Sequence, residues 1–183
     1  MAQIEIEYRA LLTEDAYNAL AKKLDGEAKD LGEDDKDVFF FIFPDKLLKV
    51  VNNMSAKSAK IVLKLNKIGV GSDFEEIEIP ISQSDVDKSV RAFKAMGFTE
   101  VQQSFQKRHN YIYKDVELAL KYSDNWGYHI ELELLVDNVA KKDDADKQIY
   151  AVANELGLKI MTDEELAEFT KKIDAQHRAK RAK

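Results

Sequence analysis

The sequence contains no cysteine, so neither a disulfide framework nor a thiolate metal site is possible. It has no apolar run that approaches the length of a membrane span, and the opening MAQIEIE lacks the basic and apolar regions of a secretory signal peptide. Basic residues are too few for a general nucleic-acid-binding surface, since 28 Lys and Arg face 34 Asp and Glu. These absences predict a cytoplasmic protein without membrane contact, for which nucleic acid is not an expected partner. A local basic cluster could still hold a small anionic ligand.

The 183 residues suffice for one domain with a sizeable core, since 45% of them are hydrophobic. Periodicity along the chain predicts the order strand, helix, a run of strands, helix, a second run of strands, and terminal helices. That order indicates an α+β fold built on a large antiparallel sheet, closed or strongly curved. We assign residues 1–170 to this domain. Residues 171–183 carry six basic residues and one acid, which predicts a basic C-terminal tail formed by a frayed, solvated helix end.

Helical periodicity appears in four stretches, whose ends carry recognisable capping residues. Thr13 is a suitable N-cap for the first helix, which ends near Gly26. The second helix is closed by Gly97. The third covers residues 143–156, and residues 162–165 form a capping box that opens the last helix.

Strand-forming residues fill most of the remaining chain. The segment 37–43 is almost wholly apolar and stops at Pro44, which favours a strand buried on both faces. The polar segment 27–36 has room for a short strand, and residues 69–73 predict a hairpin loop. The main predicted strands are residues 4–12, 37–43, 47–51, 59–67, 74–81, 98–105, 107–113, 116–122 and 128–136.

Three of these strands carry the same acidic alternation, in the pairs Glu5 and Glu7, Glu76 and Glu78, and Glu131 and Glu133. Side chains two positions apart on a strand lie on one face, about 7 Å from each other. Two carboxylates at that distance repel each other unless a cation lies between them or solvent screens them. The acidic faces are therefore the best candidate for a site.

If these faces line one interior, the same alternation places further charged residues there: Lys49, Lys60, Lys64, Glu117, Lys121 and His129. Arg108 has suitable chemistry, although the alternation does not fix its face. Because unpaired buried charge is costly, such an interior should be wet, internally paired or built for a charged ligand. Carboxylates suit Mg²⁺-type cations, and Lys and Arg neutralise phosphates. A polyphosphate with a divalent metal is the ligand that fits this set.

Ordered motifs along residues 4–133 resemble those of the CYTH superfamily, the triphosphate tunnel metalloenzymes. The first, Glu5-x-Glu7-x-Arg9, resembles the family's ExExK motif. The others follow in the family's order: Asp37 to Phe40 with Pro44-Asp45 for D-x-Y-F-D-T-P-D, Lys49 for the first arginine of L-R-x-R, Lys64 for T-L-K, Glu76-x-Glu78 for the central E-x-E, Arg108 with Tyr111 for K-x-R-x-x-Y, and Gly127 to Glu133 for G-x-F-x-E-I-E.

The resemblance implies an eight-stranded antiparallel, closed β-tunnel with flanking and C-terminal helices, which binds a small-molecule triphosphate and Mg²⁺ or Mn²⁺. It implies metal ligation by Glu5, Glu7, Glu131 and Glu133. Phosphate binding is assigned to Arg9, Lys49, Lys60, Lys64, Arg108 and Lys121. Glu5, Glu7 and Arg9 are the candidate catalytic residues, and the supporting carboxylates are Glu76, Glu78 and Glu117.

Four positions depart from the family pattern. Arg9 replaces a lysine, and an arginine cannot readily lose its proton. Val51 stands where a second arginine is expected, and Gln106 stands where a lysine is expected. Lys121 replaces a common aspartate, which restores one positive charge and removes one carboxylate.

Three functions remain open at this stage. Hydrolysis of an inorganic or organic triphosphate is placed first. Class IV adenylate cyclase activity on ATP is the alternative, although the N-terminal His-Phe element of those enzymes is absent. The substitutions at Arg9, Val51 and Lys121 favour a third function, a non-catalytic polyphosphate- or nucleotide-binding module. His129 is expected to be a structural or supporting group and Trp126 a turn or rim packing residue, with base stacking as the alternative. Monomer and dimer are both open.

Overall fold

The structure, a computed structural model, describes residues 4–43, 45–65 and 73–181. It confirms the α+β fold. The strands are β1 Ile4–Leu11, β2 Lys29–Glu33, β3 Lys36–Ile42, β4 Leu47–Asn53, β5 Ser58–Lys64, β6 Asp73–Ile81, β7 Val101–Tyr113, β8 Val116–Ser123 and β9 Gly127–Val136. The helices are α1 Glu14–Glu27, α2 Val86–Ala95, α3 Lys142–Glu155 and α4 Asp163–Arg181, and 3₁₀ turns at Gln83–Asp85 and Val139–Lys141 precede α2 and α3.

All strands join one antiparallel sheet in the order β2-β7-β3-β4-β5-β6-β1-β9-β8, and β7 also pairs with β8. Eight strands therefore follow one another around a curled sheet, as predicted, with β2 added beside β7. All eight residues of β1 pair with β9, and Ile4–Ile6 pair with β6 within the described part of the chain. The pairing order returns to its start through β7 and β8, so the sheet is strongly curled, although the word closed slightly overstates it.

The strand β7 differs from the prediction of two separate strands at 98–105 and 107–113. It is continuous from Val101 to Tyr113, and no Gly or Pro interrupts it. Its first half pairs with β3, and its second half pairs with β8 on one side and with β2 on the other. Residues 98–100 precede the strand. Gly97, with φ of +96°, ends α2 as predicted.

Two sequence predictions lie outside the described residues. The hairpin loop expected at 69–73 falls within residues 66–72, apart from Asp73, which begins β6. The stop at Pro44 also falls outside, although β3 does end at Ile42.

The helix caps follow the sequence closely. Thr13 Oγ1 accepts a hydrogen bond from the Ala16 amide at 3.2 Å, which satisfies one of the free N–H groups at the start of α1. At α4, Thr162 Oγ1 accepts from the Glu165 amide, and the Glu165 carboxylate accepts from the Thr162 amide. This reciprocal pair is the predicted capping box.

The helices cover the outside of the sheet and leave its inside free. One apolar cluster packs α1 and α3 against the outer faces of β1, β7, β8 and β9, with Leu24, Ile130 and Ile149 at its centre. A second packs α2 against β3, β4 and β5. Because both clusters lie on the outer face, the alternate side chains point into the curl of the sheet. A small group of Val38, Val51 and Val62 forms the apolar part of that interior.

Helix α4 lies against β7 along the segment that was predicted to be a frayed end. Ile173 is buried, and Asp174 accepts a hydrogen bond from Gln102 at 2.8 Å. One His177 ring nitrogen lies 3.0 Å from the Val101 carbonyl oxygen, and the exposed Arg178 pairs with Glu100. The helix is therefore held to the sheet beyond residue 171. The boundary drawn at residue 170 falls inside it, and the domain division stays a prediction.

Candidate functional site in the tunnel

The inner face of the sheet encloses a cavity of about 320 Å³ that is lined mainly by charged side chains. The structure brings every predicted site residue to this one cavity: Glu5, Glu7, Arg9, Lys49, Lys60, Lys64, Glu76, Glu78, Arg108, Glu117, Lys121, Glu131 and Glu133. His129 and Trp126 line it as well. The alternation rule therefore placed these residues correctly, except for Arg108, whose face it left open, and their individual roles stay predictions. We call this cavity the tunnel.

Three carboxylates meet on the wall formed by β1 and β9. Glu7 lies directly across from Glu133, and Arg9 lies across from Glu131. One oxygen from each of Glu7, Glu131 and Glu133 lies within 4.8 Å of the others, a spacing that one cation could bridge. Glu5 is not part of this trio and instead accepts a hydrogen bond from Lys64 at 2.9 Å. Hard carboxylate oxygens are the ligands that Mg²⁺ and Mn²⁺ prefer, so the trio fits the predicted metal.

The pKa values of two members of the trio are shifted in opposite directions, that of Glu133 upward and that of Glu131 downward. Burial, assisted by the neighbouring charges of Glu7, Glu131 and Glu5, raises the pKa of Glu133 to about 8 against the partial compensation of Arg108. The pKa of Glu131 is held well below its usual value, because Lys121, Arg9 and Arg108 outweigh its burial. Without metal, Glu133 is therefore mostly protonated at pH 7, whereas Glu131 is charged. A divalent cation at the trio would favour the charged form of Glu133 and take the place of its proton.

Arg9 anchors the trio from its own strand. Its Nε donates to Glu131 Oε1 at 3.1 Å, and its Nη2 pairs with Glu7. Its Nη1 is the buried side-chain nitrogen or oxygen that lacks a hydrogen-bond partner among the residues described. A buried donor without a partner is costly, which makes Nη1 a prepared donor for an anion.

Lys64 and Arg108 bind the remaining carboxylates. Lys64 Nζ lies 2.9 Å from Glu5, 3.0 Å from Glu7 and 2.7 Å from Glu76. The guanidinium of Arg108 lies 3.3–3.7 Å from four acids: Asp34, Glu117, Glu131 and Glu133. The Arg108 side chain therefore points into the tunnel, a direction that the sequence left open. Both bases are strongly favoured in the charged form, and the pKa of each is raised by these carboxylates despite burial.

Lys49 differs from the other tunnel bases. Within the described residues no carboxylate lies in ion-pair distance of its amine, whereas Lys121 pairs with Glu131 at 2.9 Å and Lys60 pairs with Glu78. Burial and the nearby charge of Lys64 lower the pKa of Lys49 to about 8, although Glu76 and more distant acids oppose this. An anion could therefore bind Lys49 without displacing a protein carboxylate.

Two residues of the site were missed by the sequence reasoning. Asp34 lies in the connection between β2 and β3, contacts Lys36 at 2.6 Å and Arg108 at 3.3 Å, and lines the tunnel with Asn110. Lys36 lies on the same inner face of β3 as Val38, but the unbroken apolar sequence of this strand did not indicate which of its faces points inward. No periodicity could have placed Asp34, because it belongs to a loop.

Trp126 and His129 form one end of the tunnel. The Trp126 ring packs on Phe169 of α4 with ring centroids 5.0 Å apart and on His129 at 5.2 Å. The predicted rim packing of Trp126 is therefore observed. His129 is held through one ring nitrogen, 3.0 Å from the Gly127 carbonyl oxygen. Burial and Lys121 lower the pKa of His129 to about 4, so its ring is neutral at pH 7 and fits the expected structural or supporting role.

A curled antiparallel sheet with charges of both signs inside defines a tunnel protein whose interior is suited to charged ligands. The chain belongs to the CYTH family, because the CYTH domain matches residues 3–165. This confirms the resemblance inferred from the ordered motifs. No curated protein matches the chain significantly. No helix in the described ranges is long and apolar enough to cross a membrane.

Solved structures share the fold over most of their length. The PH1012 protein from Pyrococcus horikoshii OT3 is 25% identical, with a TM-score of 0.70 over 88% of this chain and 99% of that one. A proposed adenylate cyclase from Vibrio parahaemolyticus is 17% identical, with a TM-score of 0.67 over 93% and 99%. HpAC1 from Hippeastrum, a proposed adenylyl cyclase with a dominant triphosphatase activity, is 16% identical, with a TM-score of 0.61 over 86% and 89%.

Proposed function

We propose that the protein binds a triphosphate together with Mg²⁺ or Mn²⁺ in the tunnel and hydrolyses it. The observation that carries this proposal is the carboxylate trio of Glu7, Glu131 and Glu133, set in one cavity among the bases Arg9, Lys64 and Arg108. A metal held by hard oxygens beside several Lys and Arg side chains is the usual arrangement for phosphoryl transfer. Membership of the CYTH family supports the same ligand class.

In this proposal the acidic residues of the tunnel bind the metal and the basic residues bind the phosphates. Glu7, Glu131 and Glu133, with Glu5 close by, would hold the metal, which when bound polarises a phosphoryl oxygen and activates water. Arg9, Lys64 and Arg108 would exchange part of their carboxylate contacts for phosphate oxygens, and Lys49 would bind phosphate without such an exchange. Lys121 and Lys60 extend the positive wall.

The supporting carboxylates keep the bases in place in the absence of ligand. Glu76 contacts Lys64, Glu78 pairs with Lys60, and Glu117 lies 3.7 Å from Arg108. Each base is therefore held near the position in which it would meet a phosphate. Such preorganisation reduces the entropy lost when the ligand binds.

Two other functions are kept because particular residues favour them. Adenylate cyclase chemistry would use the same clamp to orient a ribose hydroxyl toward the α-phosphorus, with pyrophosphate leaving. A non-catalytic binding module is favoured by Val51, which lies in the apolar part of the tunnel where the family has an arginine, and by Gln106, which also lines the tunnel. Both substitutions remove positive charge from the phosphate clamp.

Product analysis separates the three functions. The protein is incubated with Mg²⁺ or Mn²⁺ and with tripolyphosphate, thiamine triphosphate or ATP. We expect inorganic phosphate and the corresponding diphosphate. Cyclic AMP with pyrophosphate would instead identify a cyclase, and metal-dependent binding without any product would identify a binding module.

We predict that Arg9→Lys weakens triphosphate binding several-fold and leaves turnover the same or lower. Arginine spans Glu131, Glu7 and an unpaired Nη1, whereas a lysine has a single nitrogen and cannot replace all three contacts. The measurement is the steady-state kinetics at saturating substrate and metal. A several-fold gain in turnover would show that proton transfer, not clamping, is the task at this position.

We predict that triphosphate binding is coupled to proton uptake by Lys49 above about pH 8. An unpaired amine whose pKa is lowered to about 8 is partly neutral there, and a bound polyanion favours its charged form. Calorimetry in two buffers of different ionisation enthalpy measures the uptake. The control is Lys49→Arg, whose side chain stays charged throughout this range. Proton uptake by the ligand itself is the same for both proteins and therefore drops out of the difference between them. Equal proton uptake by both proteins would contradict the role of Lys49.

A further inference from the structure

A second cavity of about 90 Å³ lies between the tunnel and α4. Its walls come from β3 and β4, from the turn at Trp126, and from Thr170 and Ile173 of α4. Four of its lining residues also line the tunnel: Phe40, Leu47, Gln106 and Trp126. The two spaces therefore adjoin through these side chains. We call the second cavity the aromatic chamber.

The chemistry of the chamber is unlike that of the tunnel. Its walls include the rings of Phe40, Phe43 and Trp126 and the aliphatic side chains of Leu47 and Ile173. The two charged residues of the lining already have partners, since Lys46 pairs with Asp45 and Asp174 accepts from Gln102. An inorganic polyphosphate gains nothing from such walls, because moving its charge out of water beside apolar groups is unfavourable. A planar ring gains both apolar burial and stacking from them.

Two amide side chains add polar recognition to these walls. Gln106 and Asn125 line the chamber and have no side-chain hydrogen-bond partner in the described part of the chain, whereas Gln102 is already bonded to Asp174 at 2.8 Å. Each free amide offers donors and an acceptor. Aromatic faces together with a few unused amides are the usual lining of a site for a heterocycle with hydrogen-bonding edges.

Arg9 joins the chamber to the metal trio. Its guanidinium carbon lies 5.8 Å from the centroid of the Trp126 ring, while its nitrogens contact Glu7 and Glu131. A ligand whose phosphates meet Arg9 would thus have its next group beside Trp126. On this evidence, and resting on the proposed function, we propose that the chamber holds the planar heteroaromatic group of a triphosphate ester. The substrate is then an organic triphosphate and not inorganic tripolyphosphate.

The test fills the chamber without touching the charged tunnel. Thr170→Phe adds a ring from α4, where the Thr170 hydroxyl donates only to the Ala167 carbonyl on its own helix. Lys171→Phe, the same change on the neighbouring exposed residue, is the matched control. Affinities for tripolyphosphate, ATP and thiamine triphosphate are measured with Mn²⁺ for the wild type and both variants.

We expect the wild type to bind at least one ester more tightly than tripolyphosphate. Thr170→Phe should lower the affinity for that ester about tenfold or more, which corresponds to about 1.4 kcal/mol. The same variant should change the affinity for tripolyphosphate less than about twofold. Lys171→Phe should change neither affinity. If Thr170→Phe displaces α4, as thermal unfolding would reveal, Ser104→Leu fills the chamber from the opposite wall.

Two results would overturn the proposed role of the chamber and leave the proposed function in place. One is tighter binding of tripolyphosphate than of both esters, and the other is an equal loss of affinity for ester and tripolyphosphate in the filled variants. Absence of metal-dependent binding of all three ligands would instead overturn the proposed function itself, and the chamber with it.

Discussion

Replacing Glu131 and Glu133 with glutamine should lower metal-dependent turnover by roughly two orders of magnitude or more, since both supply oxygens to the carboxylate trio. Glutamine keeps the size and hydrogen-bonding capacity of the side chains but removes two negative charges. Turnover is measured at limiting Mg²⁺ and at limiting Mn²⁺. Glu78→Gln is the matched control, because it removes one tunnel charge at a half-exposed ion pair outside the trio. Unchanged turnover in the double variant would place the metal site elsewhere.

The two single variants should differ in stability, and this separates metal loss from unfolding. Glu133 has a folded pKa of about 8, above its usual value, so the folded protein binds more protons than the unfolded chain between about pH 4.5 and 8. Its contribution to stability is therefore lost as pH rises through 8. In metal-free buffer, Glu133→Gln should be as stable as the wild type near pH 4 and more stable by a growing margin as the pH rises from about 4.5 to about 8.

Glu131→Gln should behave in the opposite way. The pKa of Glu131 is held low by Lys121, Arg9 and Arg108, so its charge stabilises the fold at neutral pH. That contribution is present above the usual carboxyl pKa and is lost only in acid. The variant should therefore be less stable than the wild type at pH 7 in urea denaturation. Equal stability of the two single variants across this pH range would contradict the division of charge within the trio.

The sequence predicted the tunnel well because alternation along a strand is a strict geometric rule. Because Glu5 and Glu7 lie two residues apart on one strand, their side chains point to the same side of the sheet. Pairing with β9 then brings Glu131 and Glu133 to the same wall. The CYTH-like order of motifs then joined strands that are far apart in the chain. The helix caps were equally local and were predicted for the same reason.

What the sequence could not supply depends on contacts between distant segments. Asp34 reaches Arg108 from a loop, where no period fixes a side chain's direction. The division of β7 into two strands was wrong because one continuous strand can pair with β3 before Gln106 and with β8 after it, and the choice of partner strand cannot be read from local sequence. The aromatic chamber requires Thr170 and Ile173 to face Trp126 through the placement of α4, which was predicted as a helix but not positioned.

Replacing Lys64 with methionine should cause the largest loss of stability among single changes in the tunnel. The Lys64 side chain is only 5% exposed and lies within 3.0 Å of Glu5, Glu7 and Glu76. Methionine fills similar volume but leaves these carboxylates facing one another without their shared cation. Removing one partner of a buried ionic cluster typically costs about 3–5 kcal/mol, because the remaining charge is left without compensation.

The matched control is Lys60→Met on the same strand. Lys60 and Glu78 are 40% and 44% exposed, so solvent already screens their pair, and the loss should stay below about 1 kcal/mol. Urea denaturation followed by the fluorescence of Trp126, the single tryptophan, measures both variants. A loss no larger than that of Lys60→Met would mean that water or ions, and not Lys64, balance the acids of the tunnel.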